Sequence, residues 1–150
     1  MFINFIFSLI MAINISDAEI HTIVNEMTSA YDLDPPEVRI EDFDNMPHAM
    51  AKTMCYVNRD TNEANCVIIF RPCVLELRDG LRQEIYAHEV AHYINARVYG
   101  RYDHGRRWRQ IVARFGYIPE EYYSEIITSQ CDLTDPWKYH INIVIGRVVE

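Results

Sequence analysis

The sequence has only four cysteines, and no two of them stand in C-x-x-C spacing. Small secreted scaffolds held together by disulfides have a higher density of cysteines, and zinc knots use closely spaced cysteine pairs. The scattered, irregular positions argue against both classes. We therefore expect reduced, mostly buried thiols at Cys55, Cys66, Cys73 and Cys131.

The chain also lacks repeats, low-complexity tracts and linker-like segments. Its 150 residues are 49% hydrophobic and 24% charged, which is a globular composition and excludes a disordered or collagen-like protein. This length suffices for one hydrophobic core and is short for two. The sequence therefore predicts a single domain.

No apolar run reaches the roughly twenty residues that a membrane-spanning helix needs. The most apolar segment, residues 1–15, lacks the basic start and the small-residue cleavage site of a secretory signal peptide. It is an atypical signal or anchor, a packed N-terminal segment, or an extension upstream of a working start at Met11. We favour the last two and assign the domain to residues 16–150. We expect a cytoplasmic protein, in the host cytoplasm if it is viral, with secretion through the apolar segment as the alternative.

The first half of the chain predicts one helix followed by a small sheet. Ser16 and Glu19 have capping-box spacing, and apolar residues then recur at helical intervals to about residue 31. Two β-prone runs follow at residues 54–57 and 66–70, separated by a polar stretch. Before them, Val38 and Ile40 alternate with charged residues. Together these segments predict a small antiparallel sheet.

The second half predicts further helices. Residues 81–99 contain no Gly or Pro and form a long, largely buried helix that Gly100 ends. A third helix is predicted over about residues 105–115, and a fourth opens at Pro119. Residues 139–149 are rich in β-branched side chains and favour a further strand. The predicted fold is α+β, with a small antiparallel sheet packed on the long helix.

The long helix contains the sequence His88-Glu89-Val90-Ala91-His92, which is an H-E-x-x-H motif. Residues four apart lie one above the other on a helix, so both imidazoles can bind one metal ion. The glutamate beside the first histidine can then reach a water molecule on that metal. The motif predicts a metal site with Glu89 as general base.

A catalytic zinc ion usually has three protein ligands, so a third ligand is expected after the motif. Asn95 and Val98 stand where the extended motif H-E-x-x-H-x-x-G-x-x-H has its glycine and its third histidine. We favour His104, which follows Gly100 at a point where the chain can turn back toward the helix. A carboxylate of the next helix is the alternative: Glu120, Glu121 or Glu125.

Residues 88–116, HEVAHYINARVYGRYDHGRRWRQIVARFG, resemble the core of the SprT-like zinc metalloprotease family. In that family H-E-x-x-H is followed, after a short loop, by His-Gly, two variable residues and an aromatic residue. Here the second element runs from His104-Gly105 to Trp108. With the small sheet and the segment Phe70-Arg71-Pro72 before the helix, the resemblance covers about residues 38–118.

The resemblance implies a minimal zincin-like domain in which His88, His92 and His104 bind Zn²⁺ and Glu89 is the catalytic general base. It implies a zinc-dependent endopeptidase that hydrolyses peptide bonds with a metal-activated water. Members of the family cleave proteins crosslinked to DNA, so DNA-associated proteins are the substrates it suggests. Many members also carry a C-terminal four-cysteine zinc ribbon, whereas only Cys131 follows the motifs here. The alternative is a non-catalytic protein of the same fold that binds DNA or protein and holds a structural zinc.

The charge of the chain is strongly uneven. The net charge is −8, and the first fifty residues hold nine acids and one base. The segment from Arg97 to Arg114, by contrast, contains His104, six arginines including those two, and only one acid, Asp103. Such a basic cluster beside a metal cleft could contact nucleic acid or an acidic substrate weakly, and no membrane partner is expected. The candidate contacts are Arg101, Arg106, Arg107 and Arg109.

Overall fold

The computed structural model describes residues 18–44, 49–58, 60–61 and 63–119. The first helix, α1, occupies residues 18–29 and buries Ile20, Val24 and Met27 on one face. Its last turn is followed by Asp32 in the left-handed region, at φ 54°. The helix predicted from the capping box is therefore present and somewhat shorter than expected at its C-terminal end.

Three strands form one sheet in the order β1-β3-β2. They are β1 (Glu37–Ile40), β2 (Ala51–Val57) and β3 (Ala64–Phe70). β2 and β3 form an antiparallel hairpin, whereas β1 pairs parallel with β3. The α+β class is confirmed, but the sheet is mixed rather than antiparallel. The reason is that β1 and β2 flank the same central strand while running in opposite directions.

The expectation of reduced cysteines is wrong for the sheet. Cys55 and Cys66 are directly opposite each other on β2 and β3, with their Cα atoms 4.1 Å apart, and they form a disulfide. Cys73 is disulfide-bonded as well. The C-x-x-C rule missed the pair because hairpin register can bring together cysteines that are 11 residues apart.

A short 3₁₀-helix at Pro72–Glu76 leads from β3 into α2 (Asp79–Tyr99), which is followed by α3 (Arg106–Arg114). Gly100 caps α2 in the left-handed conformation at φ 58°, which a glycine adopts without a steric penalty. The long helix and its glycine stop thus agree with the sequence prediction. The third helix is one residue shorter at each end than predicted.

α2 is the central element of the domain. It packs against β2, β3, the 3₁₀-helix and α3. The Arg82 guanidinium also donates to the Glu19 carboxylate at 2.6 Å, which ties α2 to α1. The largest buried apolar side chains come from α1, β3, α2 and α3 and from the residues beside β2 and the 3₁₀-helix: Ile20, Met27, Met50, Ile68, Phe70, Leu77, Ile85, Tyr86, Ile94, Trp108 and Ile111.

Several sequence predictions fall outside the described residues. These are the apolar segment 1–15, the helix after Pro119, the strand at 139–149, and the alternative ligands Glu120, Glu121 and Glu125. Among the residues that are described, no helix combines the length and the apolar character that a membrane crossing requires.

Candidate metal centre

α2 presents the H-E-x-x-H motif in the middle of the core. His88 is 1% exposed, Glu89 is 0% exposed and His92 is 2% exposed. The four-residue spacing places both imidazoles on one face of the helix, with their ring centroids 4.8 Å apart. Burying three ionisable side chains side by side is costly unless they have partners. The motif therefore calls for a ligand or a hydrogen-bond network.

His104 completes a triangle of nitrogen atoms with the two helical histidines. Its Nε2 atom lies 3.1 Å from Nε2 of His88 and 3.0 Å from Nε2 of His92, and those two atoms are 3.1 Å apart. A neutral imidazole carries one N–H, so each Nε2 atom is either a hydrogen-bond donor or an acceptor. At least one of the three contacts therefore joins two atoms of the same kind and cannot be a hydrogen bond. A cation at the centre would accept all three lone pairs.

The donor set fits a zinc ion. Three nitrogen ligands about 2.0–2.1 Å from a tetrahedral zinc lie about 3.3–3.4 Å from one another, close to the separations seen here. Burial, together with the neighbouring His88 and His104, lowers the pKa of His92 well below its usual value. His92 is therefore neutral at physiological pH, which is the form that binds a metal. The three histidines could hold a metal ion.

A short, tightly turned loop returns His104 to the helix. Asn95, which is fully buried on α2, donates from Nδ2 to the carbonyl oxygen of Asp103 at 3.3 Å. The Asp103 carboxylate accepts from the backbone N–H of Gly105 at 2.9 Å. A Cβ atom at position 105 would lie 2.6 Å from Oδ1 of Asp103, so a larger residue there would displace the carboxylate that accepts this hydrogen bond. Asn95 and Gly105 thus hold the loop that carries the third histidine.

Trp108 packs behind the histidine cluster. Its side chain is 0% exposed, and its ring centroid lies 4.7, 5.3 and 4.6 Å from those of His88, His92 and His104. Its Nε1 atom donates to the carbonyl oxygen of His88 at 3.3 Å. The aromatic residue four positions after His104 is therefore a core side chain that fixes α3 and the loop of His104 against α2.

The two carboxyl oxygens of Glu89 differ in their hydrogen bonding. Thr53 Oγ1 lies 2.6 Å from Oε2 of Glu89, while Oε1 is buried and has no hydrogen-bond partner among the described residues. Burial raises the pKa of Glu89 to about 8, and the Thr53 hydrogen bond opposes this shift. A nearby metal cation would lower the same pKa, because an opposite charge favours the ionised form. Oε1, which has no hydrogen-bond partner among the described residues, is the atom available to take a proton.

Sequence reasoning missed Thr53, which lies 36 residues before Glu89. The only signal in the sequence near Thr53 is that a polar residue stands between two small apolar ones, Ala51 and Cys55, at alternating positions of β2. The contact of Asn95 with Asp103 likewise joins a helix residue to the following loop, and no motif indicates it. Tyr117, which follows α3, packs partly buried against the core.

The basic residues lie on the outer surface beside the site. α3 buries Trp108, Ile111 and Val112, so its arginines project from the opposite, exposed face. The Arg107 guanidinium stacks over the ring of Tyr99 at 4.9 Å, and Arg114 stacks over Tyr31 at 4.8 Å. Arg97 donates to the carbonyl oxygen of Ala64. The cluster is thus partly used in packing.

Comparison with known proteins gives one result. Residues 20–129, more than two thirds of the chain, match the model of the SprT-like family. No curated protein and no solved structure matches the chain significantly. The match covers α1 from residue 20 onward, the sheet, the histidine cluster and the loop that carries His104. The chain belongs to the SprT-like family.

Proposed function

We propose that the protein is a zinc-dependent endopeptidase. The observation that carries this proposal is the combination of three converging histidine nitrogens with a buried carboxylate oxygen, Oε1 of Glu89, that has no other partner among the described residues. The family is generally one of metalloproteases, which supports the same conclusion. His88, His92 and His104 would hold the metal ion.

A zinc ion bound there supplies a Lewis acid that lowers the pKa of water to about 7 and polarises a carbonyl group. Glu89 then acts as general base through Oε1 and passes the proton to the leaving amine. Its carboxylate is well suited to both steps, because the buried surroundings and the cation shift its pKa in opposite directions. His104 is the partly exposed member of the cluster, so substrate approaches from its side.

The test is to purify wild type and Glu89→Gln, measure zinc by elemental analysis, and follow casein cleavage. We expect about one zinc per chain in both proteins and cleavage only in the wild type, because glutamine cannot accept the proton. A chelator should abolish the wild-type activity, and added zinc should restore it. Undiminished cleavage by Glu89→Gln would contradict the mechanism. Bound zinc without cleavage in either protein would favour the alternative, a non-catalytic protein with a structural zinc.

We further propose that the exposed arginines beside the site contact DNA weakly and so bring DNA-associated protein substrates to it. The support is the exposure of Arg101, Arg106, Arg107 and Arg109 around the loop of His104. Phosphate contacts of this kind weaken steeply with salt.

The variant Arg106→Glu/Arg107→Glu should lose salt-sensitive binding to single-stranded DNA in a fluorescence anisotropy titration. Arg39→Glu/Arg78→Glu is the matched control, because it makes the same change in net charge at two exposed positions outside the cluster. Equal loss of binding in both variants would show that only net charge matters, and unchanged binding in the first would contradict the proposed surface.

A further inference from the structure

The position of Thr53 in the sheet does not explain why it is a threonine. It lies in the middle of β2 opposite Ile68 of β3, and its side chain is 1% exposed. Valine has the same branched shape and suits a buried strand equally well, whereas a buried hydroxyl is costly unless it has a hydrogen-bond partner. The hydroxyl group therefore needs a reason beyond packing.

Its contacts supply that reason. Oγ1 of Thr53 lies 2.6 Å from Oε2 of Glu89 and 3.0 Å from the carbonyl oxygen of the same residue. A hydroxyl has one proton to donate, and the contact with Oε2 is the shorter of the two. Thr53 therefore donates to the carboxyl group of Glu89.

This contact makes the two oxygens of Glu89 inequivalent. A glutamate side chain has three rotatable bonds, and a carboxylate held at neither oxygen can rotate among several orientations. Here β2 holds Oε2, so Oε1 remains as the oxygen without a partner among the described residues. Since α2 fixes the backbone of Glu89 and β2 fixes its carboxylate, the orientation of the side chain depends on two different elements of the fold.

We propose that Thr53 is a positioning residue for the reaction: its hydroxyl holds Oε2 of Glu89 so that Oε1 faces the water that must lose its proton. This inference rests on the proposed peptidase function. Thr53 acts only through Glu89. Proton transfer depends on the distance and direction of the base, so the loss of this contact lowers the turnover rate and leaves substrate binding unchanged.

Three variants separate positioning from packing. Thr53→Val keeps the branched shape and removes the hydroxyl, and Thr53→Ser keeps the hydroxyl and removes the methyl group. Thr28→Val is the matched control: Thr28 is also 1% exposed, and its hydroxyl donates to the Val24 carbonyl at 2.8 Å within α1, away from the site. Zinc content and the thermal unfolding midpoint are measured first for each zinc-loaded protein.

We expect Thr53→Val to lower kcat roughly 10- to 100-fold, a fraction of the 10²- to 10⁴-fold that general acid–base catalysis contributes. KM should stay within about twofold of wild type, Thr53→Ser should recover kcat to within about threefold, and Thr28→Val should match wild type. A second readout is the affinity for acetohydroxamic acid, measured by calorimetry. This chelator binds zinc and donates its hydroxyl proton to an adjacent carboxylate, so Thr53→Val should bind it several-fold more weakly.

Equal kcat in Thr53→Val and wild type would overturn the proposal, and so would a Thr53→Ser variant as impaired as Thr53→Val, because packing would then explain the loss. The two proposals fail in different ways. A wild-type protein that holds zinc but cleaves nothing contradicts the peptidase function. The hydroxamate series would still support the positioning contact if Thr53→Val weakens binding and Thr53→Ser restores it, and would refute it if the three affinities are equal.

Discussion

Glu89 should make the metal-free protein less stable as the pH rises. Its pKa in the folded protein is about 8, against an ordinary value of 4.5, because the side chain is fully buried. Between these values the unfolded chain has released the proton and the folded chain still holds it. Fewer protons bound in the unfolded state mean that the free energy of unfolding falls with increasing pH.

The magnitude follows from the size of the shift. Each pH unit between the two pKa values changes the free energy of unfolding by about 1.4 kcal/mol, so Glu89 alone should lower it by about 2–3 kcal/mol between pH 5 and pH 7. His92 acts in the opposite direction over part of this range, because its lowered pKa makes the folded protein less stable as the pH falls. A comparison of two proteins that both contain His92 removes this contribution.

The assay is urea unfolding of wild type and Glu89→Gln in the presence of a chelator, at pH 5, 6 and 7. Glutamine does not titrate, so the stability of the variant relative to wild type should increase by about 2–3 kcal/mol across this range. A difference that stays constant with pH would refute the reasoning, because it would mean that Glu89 titrates alike in the folded and unfolded chains.

Two other predictions concern the loop of His104 and the hairpin. Replacing Asn95 with alanine should weaken zinc binding about 10- to 100-fold in a chelator competition assay, because the Asp103 carbonyl loses its hydrogen-bond donor and the loop is less well fixed. An unchanged affinity would mean that the loop keeps its conformation without this hydrogen bond. In the double variant Cys55→Ala/Cys66→Ala, the free energy of unfolding measured in urea should be about 2–3 kcal/mol lower than in wild type, because the wild-type disulfide closes a loop of only 11 residues. Equal stability would show that the cross-link adds nothing.

The parts of the site that the sequence predicted are those that depend on local spacing. The two helical histidines are four residues apart, and helical periodicity alone puts them on one face. Gly100 marks the end of α2, so the next histidine lies on a short loop that can reach the helix. The structure places Nε2 of His104 within 3.1 Å of Nε2 of both helical histidines, on a loop whose Asp103 carbonyl accepts a hydrogen bond from Asn95 of α2.

The parts that the sequence did not predict depend on contacts between distant segments. Thr53 meets Glu89 across 36 residues, and no spacing rule connects a strand residue with a helix residue at such a distance. The parallel pairing of β1 with β3 is missed for the same reason, since each strand is recognisable by itself but its neighbour is not. Local patterns predict the elements and leave their arrangement open.

The register of one hairpin decides both of the features that were missed on β2. Side chains alternate between the two faces of a strand, so Thr53 and Cys55 point the same way. The pairing that places Cys55 opposite Cys66 also places Thr53 opposite Ile68, on the side where α2 carries Glu89. A slip of one residue would turn both side chains to the other face, which would remove the hydrogen bond to the carboxylate and the pairing of the cysteines together. The disulfide therefore cross-links the two strands in the register on which the orientation of Glu89 depends.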